Sequence, residues 1–231
     1  MDEAVTGITC LVRSKKDAIF DVFAKQYRLA IDSPLLVVDD GLSADIKRKY
    51  SEFRYIDSPK PWGICSSWNA GFKEIPEGDI LIFNDDLYIH TENLDIEMSE
   101  VARIEAEIGL VVPVMTHVMN PEQYPENRQA KRYAELQRPV SSTCMYIARE
   151  VLKAVGYFDE AYDVGWGYND KDYCRRVKRA GYKTVIAYNG FIEHGRPWFP
   201  FNQANTARPL LMEVVQEENR TIYIEKWGSD D

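Results

Sequence analysis

Through its first half the chain alternates short apolar runs with helical patterns, and few folds accommodate that alternation. Ile8–Val12 reads as a buried strand, followed by an amphipathic helix over Lys16–Tyr27 with Ile19, Phe20, Phe23 and Tyr27 on one side. Leu35–Val38, Phe53–Ile56, Asp79–Phe83 and Leu110–Val114 read as further strands. Helical stretches over Ala44–Ser51, Ser66–Glu74 and Glu92–Ile108 separate them. Strands separated by helices build βαβ units and a mostly parallel central sheet flanked by helices, an α/β fold. Such sheets bind ligands beyond the carboxyl ends of their strands. Two of those ends are acidic, at Asp39-Asp40 and at Asn84-Asp85-Asp86. Acids at strand ends also cap turns, but two clusters on one sheet edge point to a ligand or ion site.

The second half continues the pattern less regularly. Residues 116–139 are polar and weakly periodic, and read as a long loop or insertion. Ser142–Ala148 reads as a strand, and Glu150–Val155 as a short helix capped by Gly156. Asp170–Ala180 is a helix ended by Gly181, Thr184–Tyr188 a strand, and Pro209–Lys226 a final helix. The expectation is a single domain over 1–231, with a ligand-binding half (1–115) and a catalytic half (116–231) closed by the last helix.

Composition excludes several classes. The chain has 231 residues with 28 Lys+Arg against 37 Asp+Glu, a net charge of −9, so there is no global basic footprint for nucleic acid. The cysteines at 10, 65, 144 and 174 have no CxxC spacing, which argues against a zinc knuckle and for free thiols in a reducing compartment. The N-terminus is acidic where a secretory signal is basic, and the apolar runs fall far short of the roughly 20 residues that span a bilayer. A cytoplasmic location without a transmembrane segment is expected. Asn219-Arg220-Thr221 matches a glycosylation acceptor and is read as a chance match.

Three features line up in order: Val37–Asp45 as a strand entering an acid-rich turn, Ile80–Asp86 as a strand ending in an Asx run, and Val155–Glu160 followed by Trp166–Arg176 and then Glu193-His194. Together with an Asn219…Tyr223…Lys226-Trp227-Gly228 ending, this set resembles the family 2 glycosyltransferases, inverting enzymes of GT-A fold that use nucleotide sugars. The resemblance covers nearly the whole chain.

That resemblance implies roles. Asp39 takes the place of the acid that accepts a hydrogen bond from the nucleotide base, and a carboxylate suits the imide N–H of uracil. Asp40 points the other way by strand alternation and belongs to the turn. Asn84-Asp85-Asp86 takes the place of the DxD-type motif, with Asp86 as metal ligand and Asn84 and Asp85 facing ribose or donor sugar. A hard divalent cation offsets the charge of a nucleoside diphosphate and of the leaving group. His194 takes the place of a second metal ligand, and its imidazole favours Mn²⁺ over Mg²⁺. Asp170, in Asn169-Asp170-Lys171-Asp172, takes the place of the catalytic base that deprotonates the acceptor hydroxyl. Asn169 departs from the family's Glu; it also suits an N-cap, and Asp170 and Asp172 suit a first helical turn. Asp172 is read as structural. Trp166 shapes the pocket for donor sugar and acceptor, Gly63 and Asn69 belong to a segment near the nucleotide, and Arg13 approaches it from the first strand. Trp68 stands where many members have Arg. Arg196, Trp198, Phe199 and Phe201 suit a flap over the diphosphate.

The implied function is metal-dependent, inverting transfer of a sugar from a nucleoside-diphosphate donor, a UDP-sugar first, to a hydroxyl acceptor that is a glycan, lipid or other molecule. Two alternatives remain open. A catalytically degenerate nucleotide-sugar-binding module is favoured by Asn169. A nucleotidyltransferase is disfavoured because Leu11–Asp17 is basic but lacks the glycines of a phosphate-cradling loop. The basic helix bearing Lys171, Arg175, Arg176, Lys178 and Arg179 reads first as a solvated, acid-paired face and second as a contact for an anionic acceptor or a membrane surface.

Overall fold

A computed structural model describes residues 7–61, 63–118, 120–164, 167–195 and 209–230. In chain order the elements are β1 (Ile8–Ser14), α1 (Asp17–Ala30), β2 (Leu35–Asp39), α2 (Ala44–Lys49), β3 (Arg54–Asp57), α3 (Ile64–Glu74), β4 (Asp79–Phe83), β5 (Leu87–Ile89), α4 (Leu94–Ala102), β6 (Ile108–Met115), β7 (Tyr133–Glu135), β8 (Cys144–Ile147), α5 (Arg149–Val155), α6 (Asn169–Arg179), β9 (Lys183–His194) and α7 (Pro209–Trp227). The strands form one sheet in the order β3-β2-β1-β4-β8-β6-β9-β5, with β7 added on β9.

The apolar runs become the centre of this sheet because their residues are buried on both faces. Every residue of β2, β4 and β6 is buried, as strands covered by helices on both sides require. The block β3-β2-β1-β4 is parallel, as is the β6–β9 pair, while β5, β7 and β8 join antiparallel. Because β8 lies between β4 and β6, the two halves of the chain share one sheet.

Helices cover both faces. On one, α1 buries Phe20, Phe23, Ala24 and Tyr27, and Phe23 packs 5.8 Å from Phe83 of β4, centroid to centroid. On the other, α3 buries Cys65, Trp68 and Phe72. Each such large side chain contributes about 1.5–3 kcal/mol on burial. Gly71 permits this packing, since a Cβ there would lie 2.4 Å from Leu11 Cδ1 of β1. The four cysteines are free and buried, and among the described residues no helix is long and apolar enough to cross a membrane.

The structure corrects several sequence expectations. The helix expected over Glu92–Ile108 ends at Ala102, because Lys183 N–H bonds the carbonyl of Glu107 at 2.7 Å and Ile108 must be extended to pair with Lys183. The segment 116–139 holds two 3₁₀ turns, Pro121–Gln123 and Pro125–Asn127, and the strand β7. The strand expected over Thr184–Tyr188 continues to His194. Leu87–Ile89 adds a short strand where the sequence predicts no element.

Candidate functional site

Parallel pairing brings the ends of β1, β2 and β4 to one edge. Ser14 pairs with Asp39, and Val12 with Phe83, so Arg13, Ser14, Asp39, Asp40 and Asn84–Asp86 converge there. Ser14 Oγ donates to Asp85, Arg13 ion-pairs with Asp40, and Asp40 N–H donates to Ser14 O at 2.9 Å. Arg13 Nε is buried and has no hydrogen-bond partner among the described residues. Burial pushes the Asp85 carboxyl up to about 7, and neighbouring Asp86 adds to the rise.

Asp39 serves the turn directly. Its Oδ1 accepts from Gly41 N at 2.8 Å and Leu42 N at 2.6 Å, and Oδ2 accepts from Lys47 Nζ at 2.6 Å. Burial acts to raise its pKa, but Lys47 and the two amides outweigh it and hold the carboxyl below its usual range. Hence any base contact at Asp39 falls to Oδ2 and is shared with Lys47.

The antiparallel β5–β9 pairing sets Leu87 opposite His194 and so brings His194 beside Asp86. His194 Nε2 lies 3.5 Å from Asp86 Oδ1, and Nδ1 lies 3.1 Å from His117 O. His194 N–H donates to Thr116 Oγ1 at 3.1 Å, and Gly195 N–H to Asp86 O at 2.9 Å. Gly195 has φ +65°, a left-handed turn that follows the histidine at once. Burial disfavours the charged ring, yet Asp86 and the His117 carbonyl raise its pKa above the ordinary value. With Nδ1 held by His117 O, Nε2 is the nitrogen turned to Asp86; it carries a proton in the ion-paired form and would offer its lone pair to a metal only on losing that proton. One imidazole and one carboxylate are a donor pair that would suit a borderline divalent cation. Among the described residues no cluster of three or more His, Cys, Asp or Glu is placed to hold a metal.

Asp170 is the second residue of α6. Tyr168 occupies the N-cap position with φ 63°, so Asn169 opens the helix rather than capping it. Asn169 Nδ2 instead donates to Asp170 Oδ1 at 3.0 Å, and Ser142 Oγ donates to the same oxygen. Burial raises the Asp170 pKa against these hydrogen bonds. A short path links this carboxylate to the acidic edge: Asn84 N–H bonds Thr143 O at 2.8 Å, and Ser142 is the next residue back.

Asp172 has a different role. It is fully buried and receives Arg176 Nε at 2.8 Å, Trp227 Nε1 at 2.8 Å and Lys226 Nζ at 2.9 Å. It anchors α7 to α6. Asn219 of α7, also fully buried, donates to the carbonyls of Tyr162 at 3.0 Å and Gly167 at 2.8 Å, holding the segment that leads into α6.

The structure does not direct every expected residue to the edge. Asn69 is buried with its amide committed to Phe158 and Glu160, at 2.9–3.0 Å. The close approach at Gly63 is made by protein: a Cβ would lie 2.3 Å from Ser66 Oγ and 2.7 Å from Asp163 Oδ2. Asp163 caps α3 through Cys65 N at 2.7 Å and Ser66 N at 3.0 Å. Trp166 and the flap residues Arg196, Trp198, Phe199 and Phe201 lie outside the described residues. Sequence reasoning missed Ser14, Lys47, His117 and Ser142, and named Asn219 in the C-terminal ending without giving it a role. Only the Ser141-Ser142-Thr143 run, polar and next to an apolar strand, carried a signal.

No family model and no curated protein matches the chain. Solved structures do. GalNAc-T7 with UDP, GalNAc and Mn²⁺ aligns at TM-score 0.67 and 12% identity, over 84% of this chain and 44% of that one. The mannosyltransferase PcManGT from Pyrobaculum calidifontis, with GDP-Man and Mn²⁺, aligns at TM-score 0.67 and 15% identity, over 93% and 65%. S. aureus TarS aligns at TM-score 0.64 and 13% identity, over 82% and 37%. The chain has the GT-A fold. It spans between 37% and 65% of the length of these structures. In this GT-A chain the Asp39, Asn84–Asp86 and Asp170 positions are all tied to the edge where β1, β2 and β4 end.

Proposed function

We propose that the chain is a glycosyltransferase that moves a sugar from a nucleoside-diphosphate donor, a UDP-sugar first, to a hydroxyl acceptor with inversion, and that it requires Mn²⁺ or Mg²⁺. The observation that carries this reading is the pairing of Asp86 with His194, with Nε2 turned to the carboxylate, on the same edge that Ser142 and Thr143 connect to Asp170. The fold is shared with proteins solved with UDP or GDP-Man and Mn²⁺.

In this reading Asp86 and His194 hold the cation, which supplies charge compensation for the diphosphate and its departure. Asp39 Oδ2 accepts from the base, with Lys47 alongside. Asn84 and Asp85 face ribose or donor sugar, and Arg13 adds a positive charge beside them. Trp166 lines the sugar pocket. Gly63 and Asn69 act at one remove, by fixing α3 against the 158–163 segment. Asp170 takes the acceptor proton while the hydroxyl oxygen attacks C1 from the face opposite the leaving group. Ser142 and Asn169 hold that carboxylate in position, and burial raises its affinity for a proton.

The degenerate-module reading keeps the same donor site without turnover, and it draws on Asn169 in place of Glu. The two are separated by assaying donor turnover beside binding. Under the transferase reading, wild type binds and turns over, Asp170→Asn binds without turnover, and Asp86→Ala loses metal-dependent binding. Binding by wild type with no turnover on any acceptor or water favours the module.

A further inference from the structure

A groove of about 260 Å³ runs between α6 and the segment 135–139, with the start of β9 as its floor. Its charged lining is Arg138, Lys171, Arg175, Lys178 and Lys183 against one carboxylate, Glu135. In a chain of net charge −9 this is a local reversal of sign. Part of it is internally matched: Lys171 pairs with Asp230 at 2.7 Å, Lys183 pairs with Glu105, and Arg175 donates to Tyr223 OH at 3.1 Å. Arg138 and Lys178 stand exposed on opposite walls, and neither makes an ion pair among the described residues.

The groove's position relates it to the proposed base. The two segments that form its walls also hold Asp170: α6 carries Asp170 next to Lys171, and the chain from Arg138 runs on to Ser142, which donates to Asp170. From Lys171 to Lys178 the helix rises by about 10 Å. On α6 the groove's lining begins at Lys171, one residue beyond Asp170.

We propose that this groove binds phosphate, and that it seats a phosphate group of the acceptor about 10 Å beyond the attacked hydroxyl. The acceptor half of this proposal rests on the transferase reading above. Phosphate fits better than a carboxylate because cations approach from two walls. A lysine point charge on one and an arginine fork on the other match oxygens disposed tetrahedrally. A carboxylate's coplanar pair is satisfied by one arginine alone.

The test is titration calorimetry with inorganic tripolyphosphate in EDTA at about 0.15 M salt, where surface charges act over only about 8 Å. Wild type, Asp86→Ala and the charge reversal Arg138→Glu/Lys178→Glu are compared, with melting curves to show that all are folded. Both reversed positions are on the surface, so the fold is expected to persist. The expected result is equal tripolyphosphate binding by wild type and Asp86→Ala, and at least a tenfold loss in the reversal, which still binds UDP with Mn²⁺. Unchanged tripolyphosphate affinity in the reversal overturns the proposal. So does equally tight binding of a glutamate oligomer of the same charge, which would show that the groove reads charge and not phosphate. If no nucleotide binds wild type yet tripolyphosphate binding still depends on Arg138 and Lys178, the phosphate site stands and the transferase reading fails.

Discussion

His194 and Asp86 face each other across the β5–β9 pairing, with Nε2 3.5 Å from Oδ1. The opposite ring nitrogen is 3.1 Å from His117 O, and the backbone N–H is held by Thr116. The imidazole is thus fixed at both ends before any ligand arrives, so little ordering cost remains when a cation binds. His194→Ala and Asp86→Ala should each weaken the Mn²⁺-dependent part of nucleotide binding by at least about tenfold, the lower end of what is lost even when an outer-sphere partner is removed. Titration of nucleotide with and without Mn²⁺ checks this.

Ser142 donates to Asp170 and so favours its charged form, while burial opposes it. Asp170→Asn should leave donor binding in place and lower turnover by about 10²–10⁴-fold, the usual span for a general base. Ser142→Ala removes a hydrogen bond to the carboxylate, so the Asp170 pKa should rise further. The acid limb of the rate–pH profile should then move to higher pH. An unmoved limb would remove Asp170 from the role of base.

Asp172 lies two residues from Asp170 and should behave in the opposite manner. It is fully buried beneath Arg176, Lys226 and Trp227. Asp172→Ala leaves cations without their partner, a change that costs about 3–5 kcal/mol in buried sites and less here because Lys226 is partly exposed. The variant should unfold earlier in urea. Any loss of turnover should follow the loss of folded protein.

Asn219 gives both amide hydrogens to the carbonyls of Tyr162 and Gly167. Asn219→Ala leaves these acceptors unpaired at a cost of about 1–3 kcal/mol. For a chain of this size that is about 2–12 °C in Tm, to be read by calorimetry. Because Asn219 is fully buried, glycan attachment there should be absent from the folded protein.

Asp39 supplies an acid-stability prediction. Its folded-state pKa is depressed, so its contribution is present above the unfolded value of about 3.9 and is lost as pH falls through the folded value. Asp39→Asn should flatten the fall in stability below about pH 4. Lys47→Met should also reduce that fall, because removing the ammonium brings the folded Asp39 pKa back up toward the unfolded value and narrows the gap that produces it. Urea midpoints from pH 2 to 6 measure both.

Much of this was legible in the residues. Long apolar runs such as Asp79–Phe83 can be buried on both faces only as central strands, and that fixed the sheet and its acidic edge. The three-residue strand Leu87–Ile89 is too short for periodicity to show. The strand through His194 was hidden because Asn189-Gly190 reads as a break. In the fold it is a bulge: pairing with β6 jumps from Ala187 to Phe191, and Gly190 closes on Leu94. Strand-end acids were visible because the sheet rule predicts where they meet. The groups that orient Asp170 and His194, namely Ser142, His117 and Thr116, come from irregular segments whose contacts depend on tertiary packing. Asn69 shows the related point that a buried amide serves a fold as readily as a ligand, since its hydrogen bonds go to Phe158 and Glu160.

The most direct measurement is the affinity of UDP, GDP, dTDP and CDP for the wild-type chain and for Asp86→Ala, each with and without Mn²⁺. The account predicts that one nucleotide, UDP first, binds wild type at least about tenfold more tightly with Mn²⁺, and that Asp86→Ala loses this gain. Nucleotide binding indifferent to both metal and Asp86, or no binding at all, would contradict it.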